Sequence, residues 1–226
     1  ATAPPPVAIG EAPPRYPTVF PPSTTLRYAL RRGALSGEGT LAWQSDGQRY
    51  ELTLTGSVFG IDVIGQVSRG GFDEAGLAPE RFVDRRRGRD RSAANFDRAA
   101  GRITFSGPLV WFPLVPGAQD RLSWMMQVPG IVQADPQRFG PGARIGVFVT
   151  GSRGDGDVWT FVVEGRERIE VPAGAVDGAL RLKREPRKPY DTLVEVWLDP
   201  AQHHLPVRAR LTTLPGGETL ELLLVP

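Results

Sequence analysis

The chain is dominated by an alternation of apolar and polar residues with a period of two, cut at intervals by glycine-rich turns. Tyr50, Leu52 and Leu54 alternate with Glu51, Thr53 and Thr55, so one side of that stretch suits a core and the other suits water. Trp159, Phe161 and Val163 alternate in the same way with Thr160, Val162 and Glu164. Thr24–Arg32, Glu38–Gln44, Val58–Arg69, Ala94–Asp97, Arg102–Ser106, Ala143–Thr150 and Asp157–Glu164 read as strands. Arg168–Val171, Ala179–Lys183, Thr192–Leu198, Leu205–Thr213 and Glu218–Val225 continue the series. Asp46-Gly47 and Gly216-Gly217 mark hairpins, and Gly60 and Gly65 mark bulges or bends. About a dozen strands at this spacing, with no alternation of strand and helix, predict an antiparallel sandwich or barrel. The expected fold class is mainly β. It is a single strongly curved antiparallel sheet, half-barrel or barrel-like, with one short helix packed on the concave face.

A chain of 226 residues that is 40% hydrophobic can bury one good core, and residues 23–226 read as a single β-rich domain. Residues 1–22 carry eight prolines and read as a proline-rich, semi-rigid linker. The first residue is Ala1, so a signal or anchor upstream is expected, with an inner-membrane anchor the natural candidate. No stretch reaches the roughly 18 apolar residues of a membrane helix. There is no cysteine, which removes disulfide and thiol chemistry. A net charge of +2 argues against general nucleic-acid binding.

Pro116 to Phe139 is the one stretch with a helical pattern, and it holds both methionines of the chain. Leu122, Met125 and Met126 form an apolar stripe that Trp124 and Val128 widen. Asp120 suits the N-cap, and Pro129-Gly130 is expected to kink or end the helix. A helix about ten residues long is marginal in water, so it must dock on the sheet. There it either fills the core or lines an adaptable apolar pocket through its methionines.

The catalytic inventory is thin. His203 and His204 are adjacent in a predicted turn, point to opposite sides and read as turn surface. A nucleophile elbow, a phosphate loop and zinc-ligand spacing are all absent from the sequence. No metal and no cofactor is implied, and a non-enzymatic role is expected. Two stretches carry functional weight. Pro79 to Arg91 is a basic strand or hairpin. Read as an alternating strand, it sets Arg85, Arg87, Arg89 and Arg91 on one face. These are either edge protection or a site for phosphate or carboxylate. The apolar run Pro108 to Pro116 either covers the core, caps a pocket or meets a partner or membrane surface.

The whole pattern resembles the bacterial envelope proteins grouped as domain-of-unknown-function family thirty-one-oh-eight. The residues that carry the resemblance are Leu26-Arg27-Tyr28-Ala29-Leu30, Gly39-Thr40-Leu41-Ala42-Trp43, Gly76 to Phe82 and Pro116 to Ser123. Trp159-Thr160-Phe161, Pro172-Ala173-Gly174, Glu195 to Leu198 and Leu205 to Arg208 complete it. The hairpin from Trp197-Leu198 to Leu205-Pro206-Val207-Arg208 is also similar to Lol-type lipoprotein carriers in architecture. The family resemblance implies an exported protein facing the periplasm, often with a proline-rich linker before the domain. It implies no reaction, and a longer unbroken helix than Pro129-Gly130 suggests.

The expected function is therefore a periplasmic binding protein whose curved cleft takes an apolar or lipid-like ligand, a lipid or an acyl chain. Trp43, Tyr50, Trp111, Phe112, Trp124, Met125, Met126 and Trp159 are the candidate lining residues. The arginine cluster would face an anionic headgroup or an envelope protein partner. The competing readings are an envelope assembly module with a filled core and, third, an enzyme acting on envelope glycans.

Overall fold

The computed structural model describes residues 5–226. Seven strands open the fold: β1 (Thr24–Arg32), β2 (Leu35–Ser45), β3 (Arg49–Val58), β4 (Ile61–Asp73), β5 (Gly76–Arg86), β6 (Arg89–Asp97) and β7 (Arg102–Phe105). Two-residue strands β8 (Phe112–Pro113) and β9 (Gln119–Asp120) lead into the helix α1 (Trp124–Ala134). Six more strands follow: β10 (Arg144–Thr150), β11 (Gly156–Val171), β12 (Gly174–Arg184), β13 (Thr192–Asp199), β14 (Leu205–Thr213) and β15 (Glu218–Leu224). All of them join one sheet in the order β8-β7-β6-β5-β4-β3-β2-β1-β15-β14-β13-β12-β11-β10-β9. Every pairing is antiparallel except that of β9 with β10. The sheet curls without closing: β5 and β9 lie far apart in its order yet meet in space, and α1 touches β5, β9, β10 and β14 at once. The helix therefore lies inside the curve, as the alternation of strands around a single apolar helix requires.

Local sequence explains where the strands turn. Val58–Arg69 is not one strand: Phe59 (φ 51°) and Gly60 (φ 74°) make a tight two-residue turn between β3 and β4. The bulge lies just before it, at Gly56/Ser57. Asp157–Glu164 and Arg168–Val171 are instead parts of one long strand, β11, with register shifts near Gly165 and after Glu167.

Helix α1 runs unbroken through Pro129 and Gly130, against the expectation of a kink or stop. An interior proline costs about 3 kcal/mol. Burial outweighs it. Trp124, Met125, Met126, Val128, Ile131 and Val132 are all almost fully enclosed, and each such side chain contributes about 1.5–3 kcal/mol. The helix is also braced from outside at this point. Val19 N–H donates to the Gly130 carbonyl (3.0 Å), and a Cβ on Gly130 would lie only 2.6 Å from Phe20 Cε1. The N-cap is Ser123 rather than Asp120. Asp120 caps the preceding turn, accepting from the Leu122 (2.9 Å) and Ser123 (2.7 Å) amides.

Between Pro5 and Pro22 there is no strand or helix, yet the segment read as a linker runs along the domain. Tyr16 is buried, and its hydroxyl accepts from Gly146 N–H. Trp43 Nε1 donates to the Pro21 carbonyl (3.0 Å), and Val7 N–H donates to the Trp111 carbonyl (2.9 Å).

Polar pins hold α1 to the sheet. Buried Gln127 donates to the Ala75 carbonyl (2.6 Å) and accepts from Leu77 N–H (2.9 Å), completing the backbone bonds of the β4–β5 turn. Gln119 adds a bond to the Leu77 carbonyl (2.9 Å). Gln127→Leu keeps the volume and strands two buried backbone groups at about 1–3 kcal/mol each. It is expected to lower unfolding free energy by about 2–4 kcal/mol in urea titration, whereas a loss under about 0.5 kcal/mol would mean water replaces the side chain.

Candidate functional site

The alternating strands point one face inward, and α1 fills only part of the space they enclose. Beyond Met125 the curve holds a cleft of about 320 Å³. Its walls are Leu54 of β3, Ile64 and Gln66 of β4, Phe82 and Asp84 of β5, Trp159 of β11, Leu211 of β14, and Leu220 and Leu222 of β15. Arg121 and the turn from Gly151 to Asp155 close one side. The volume lies at the small end of the range for ligand pockets. A second recess of about 230 Å³ shares Ile64, Leu211 and Leu220 with the cleft and adds Arg32, Val63, Thr192, Thr213 and Glu218. A third, of about 440 Å³, shares Arg32 and Val63 with the second and is bounded by Ile61, Asp62, Arg86, Arg87 and Arg91. The three recesses thus lie side by side, from an apolar interior to an arginine-rich mouth.

The charged groups along the cleft are mostly paired. Arg121 binds Asp155 (2.6 Å) and lies 5.0 Å over the ring of Trp159. Arg184 stacks on the same ring at 4.7 Å while gripping buried Asp191 with both terminal nitrogens (2.8 and 2.7 Å). These two arginines stack on Trp159 and hold its ring in place. Burial pushes the Asp84 carboxyl up, against the pull of Arg153 and Arg86. Among the described residues, no group of three or more His, Cys, Asp or Glu side chains is placed to hold a metal.

Met125 and Trp159 line the cleft, and the other six candidate lining residues stand elsewhere. Trp43 stacks on Tyr50 (5.6 Å) in an aromatic cluster with Phe20 and Phe72. Trp124 stacks on Phe161 (5.2 Å), and Met126 is wholly enclosed. Phe112 packs on Phe148 (5.5 Å), while Trp111 is half-buried beside the N-terminal segment. Leu54, Ile64, Phe82, Leu211, Leu220 and Leu222 were not singled out from sequence. Their inward alternation was visible, but alternation is the same beside a void as beside a packed neighbour.

Arg85, Arg87, Arg89 and Arg91 do not form one alternating face. They flank a hairpin turn, with Arg87 (φ 50°) and Gly88 (φ 71°) at its tip. Arg85 pairs with Asp90 (2.8 Å), and Arg87 and Arg91 line the mouth beside Arg86, which simple alternation sets on the opposite face, and Arg32 of β1, which lies far from the cluster in sequence. His204 is buried rather than turn surface: its Nδ1 meets Gln133 Oε1 (2.6 Å) and ties the β13–β14 turn to α1. His203 is exposed.

These features define a class: barrel-like proteins made of one curled sheet wrapped around a single helix. A family model described as "Protein of unknown function (DUF3108)" matches residues 24–223, and the chain belongs to that family, as the resemblance implied. Among solved structures it is similar to the beta-barrel-like protein of domain of unknown function DUF1849 from Brucella abortus. That similarity has a TM-score of 0.47 at 14% identity and covers 92% of this chain and 98% of that one. No curated protein matches.

Two buried titratable groups flank the helix with opposite pH effects. Burial raises the Asp120 carboxyl to about 6, although Ser68, Ser123 and Leu122 donate to it. Its contribution is fully present below the ordinary value of 3.8 and is lost as pH rises through about 6. Burial lowers His204 to about 4, aided by Arg166 and opposed by Asp199, so its contribution is present above 6.5 and lost as pH falls through about 4. Asp120→Asn keeps the acceptor and removes the first effect. Relative to the variant, the wild type should lose about 2 kcal/mol between pH 4 and 7 in urea titration. The variant alone should weaken with acid through His204, and parallel curves for the two proteins would contradict the assignment.

Proposed function

We propose that the protein is a non-catalytic binding protein of the cell envelope, facing the periplasm, and that its cleft takes an apolar, lipid-like ligand. The observation that carries this reading is the cleft itself: aliphatic and aromatic walls beyond Met125, adjoined through a recess with shared wall residues by a mouth bearing Arg32, Arg86, Arg87 and Arg91. An acyl chain matches the interior, and a phosphate or carboxylate headgroup matches the mouth. Binding rather than catalysis is supported by the mainly aliphatic and aromatic wall and by the pairing of Arg121 with Asp155, which makes an orienting element of both beside it. The periplasmic placement is supported by the family resemblance and by a chain free of cysteine, which carries no thiol liability in an oxidising compartment.

The competing reading, an assembly module with a filled core, is favoured by the tight packing of Trp43, Tyr50, Trp124 and Met126. Native mass spectrometry before and after organic extraction separates the two. The binding reading expects a bound lipid mass that extraction removes, and a rise in melting temperature when fatty acid or phospholipid is returned. Leu220→Trp, which adds bulk to the shared wall of cleft and recess, should weaken lipid binding by about tenfold or more while the protein stays folded. A single ligand-free mass together with no thermal shift would sink the reading.

A further inference from the structure

Strand direction sorts the hairpins of this sheet between its two ends. The β2–β3, β4–β5 and β13–β14 turns fall at the end covered by α1 and the N-terminal segment. The β1–β2, β3–β4, β5–β6 and β14–β15 turns and the β12–β13 loop fall at the end where the cleft opens. The exposed apolar side chains divide unequally between them. Leu35, Phe59, Ile61, Tyr190 and Leu214 all stand on the tips around the mouth. Among the described residues, the other large apolar side chains of this exposure are Leu109 and Val110 of the β7–β8 loop and Val7 and Val19 of the N-terminal segment.

Two of the tips are aromatic and conformationally costly. Phe59 is 85% exposed at φ 51°, and Tyr190 is 80% exposed at φ 61°. The left-handed region favours glycine, asparagine or aspartate, and a bulky residue there is a true outlier. Neither ring packs on the fold in a way that would offset that cost. Arginines interleave with these tips. Arg86, Arg87 and Arg91 make no ion pair among the described residues. Among the described residues, the acids at this end are partly engaged, Glu218 with Arg32, Asp90 with Arg85 and Glu185 with Lys183, while Asp62 on the rim and Glu38 beyond the β1–β2 turn make no ion pair.

We infer that this end of the barrel docks on an anionic membrane surface, with Phe59, Ile61 and their neighbours entering the interface and Arg86, Arg87 and Arg91 meeting lipid phosphates. Exposed apolar tips ringed by unpaired cations fit that surface better than they fit water or a neutral partner. The docking inference stands on the rim alone. Joined to the cleft reading, it sets the mouth against the membrane, so that an acyl chain would pass between the two without crossing water.

The test is co-sedimentation of the full chain with vesicles of mixed phosphatidylglycerol and phosphatidylcholine, against vesicles of phosphatidylcholine alone. The protein should pellet with the anionic vesicles and leave them at about 1 M salt, where the Debye length falls to about 3 Å. Phe59→Asn with Ile61→Ser should cut partitioning by about tenfold or more without lowering the melting temperature, since Asn suits the left-handed turn. Arg86→Ala, Arg87→Ala and Arg91→Ala together should cut it by about a hundredfold. Phe59→Trp should blue-shift its emission on anionic vesicles only. A wild type that stays in the supernatant, or an Asn/Ser variant that pellets like wild type, overturns the inference. Leu220→Trp separates the two readings: it should lose lipid from the cleft and still pellet. If vesicles capture the protein through these tips although the cleft takes no lipid, docking stands and the ligand reading falls.

Discussion

A sheet that curls but never closes has no partner sheet to cover its concave face. Everything else in this protein depends on what fills that face. The filler is one short helix, and apolar burial alone does not fix its position. Gln127 does so by bonding the backbone of Ala75 and Leu77, standing in for a strand at the β4–β5 turn. A buried polar pair of this kind has one satisfying arrangement, so it sets register where methionine and valine would slide. His204 on Gln133 and the bond from Val19 to the Gly130 carbonyl fix the far half of the helix in the same way.

Those pins also determine where the protein is open. They all lie at one end, so the interior at the other end is left to the side chains of the strands. There Leu54, Ile64, Leu211 and Leu220 face a space that the helix does not reach beyond Met125. The cleft, the arginine mouth and the exposed tips are thus consequences of one asymmetry in how the curved sheet is filled.

The fold was legible because alternation is local. Tyr50, Leu52 and Leu54 needed no distant residue to declare an inward face, and Asp46-Gly47 needed none to declare a turn. The errors came where a local signal had a distant answer. Pro129 reads as a helix breaker, and the helix continues because nearly every neighbour is buried and Phe20 closes over Gly130. His204 reads as turn surface, and its turn folds back onto the helix. The arginines from Arg85 to Arg91 read as one face, and a left-handed Arg87 divides them between two strands.

Sequence alone therefore determined the class of fold, the family, the single helix and the apolar and basic character of the regions that meet at the mouth. The family follows from the resemblance of short motifs in order, and the rest from periodicity, turn chemistry and composition, which act over a few residues. Only the tertiary structure decided which aromatics are filled core, as with Trp43, Tyr50 and Trp124, and which border open space, as with Trp159. Only it brought Arg32, Arg86 and Ile64 from separate strands to linked recesses. The physical reason is that an inward-facing side chain carries the same local pattern whether a neighbour or a void lies opposite, and that choice is made by residues far away in the chain.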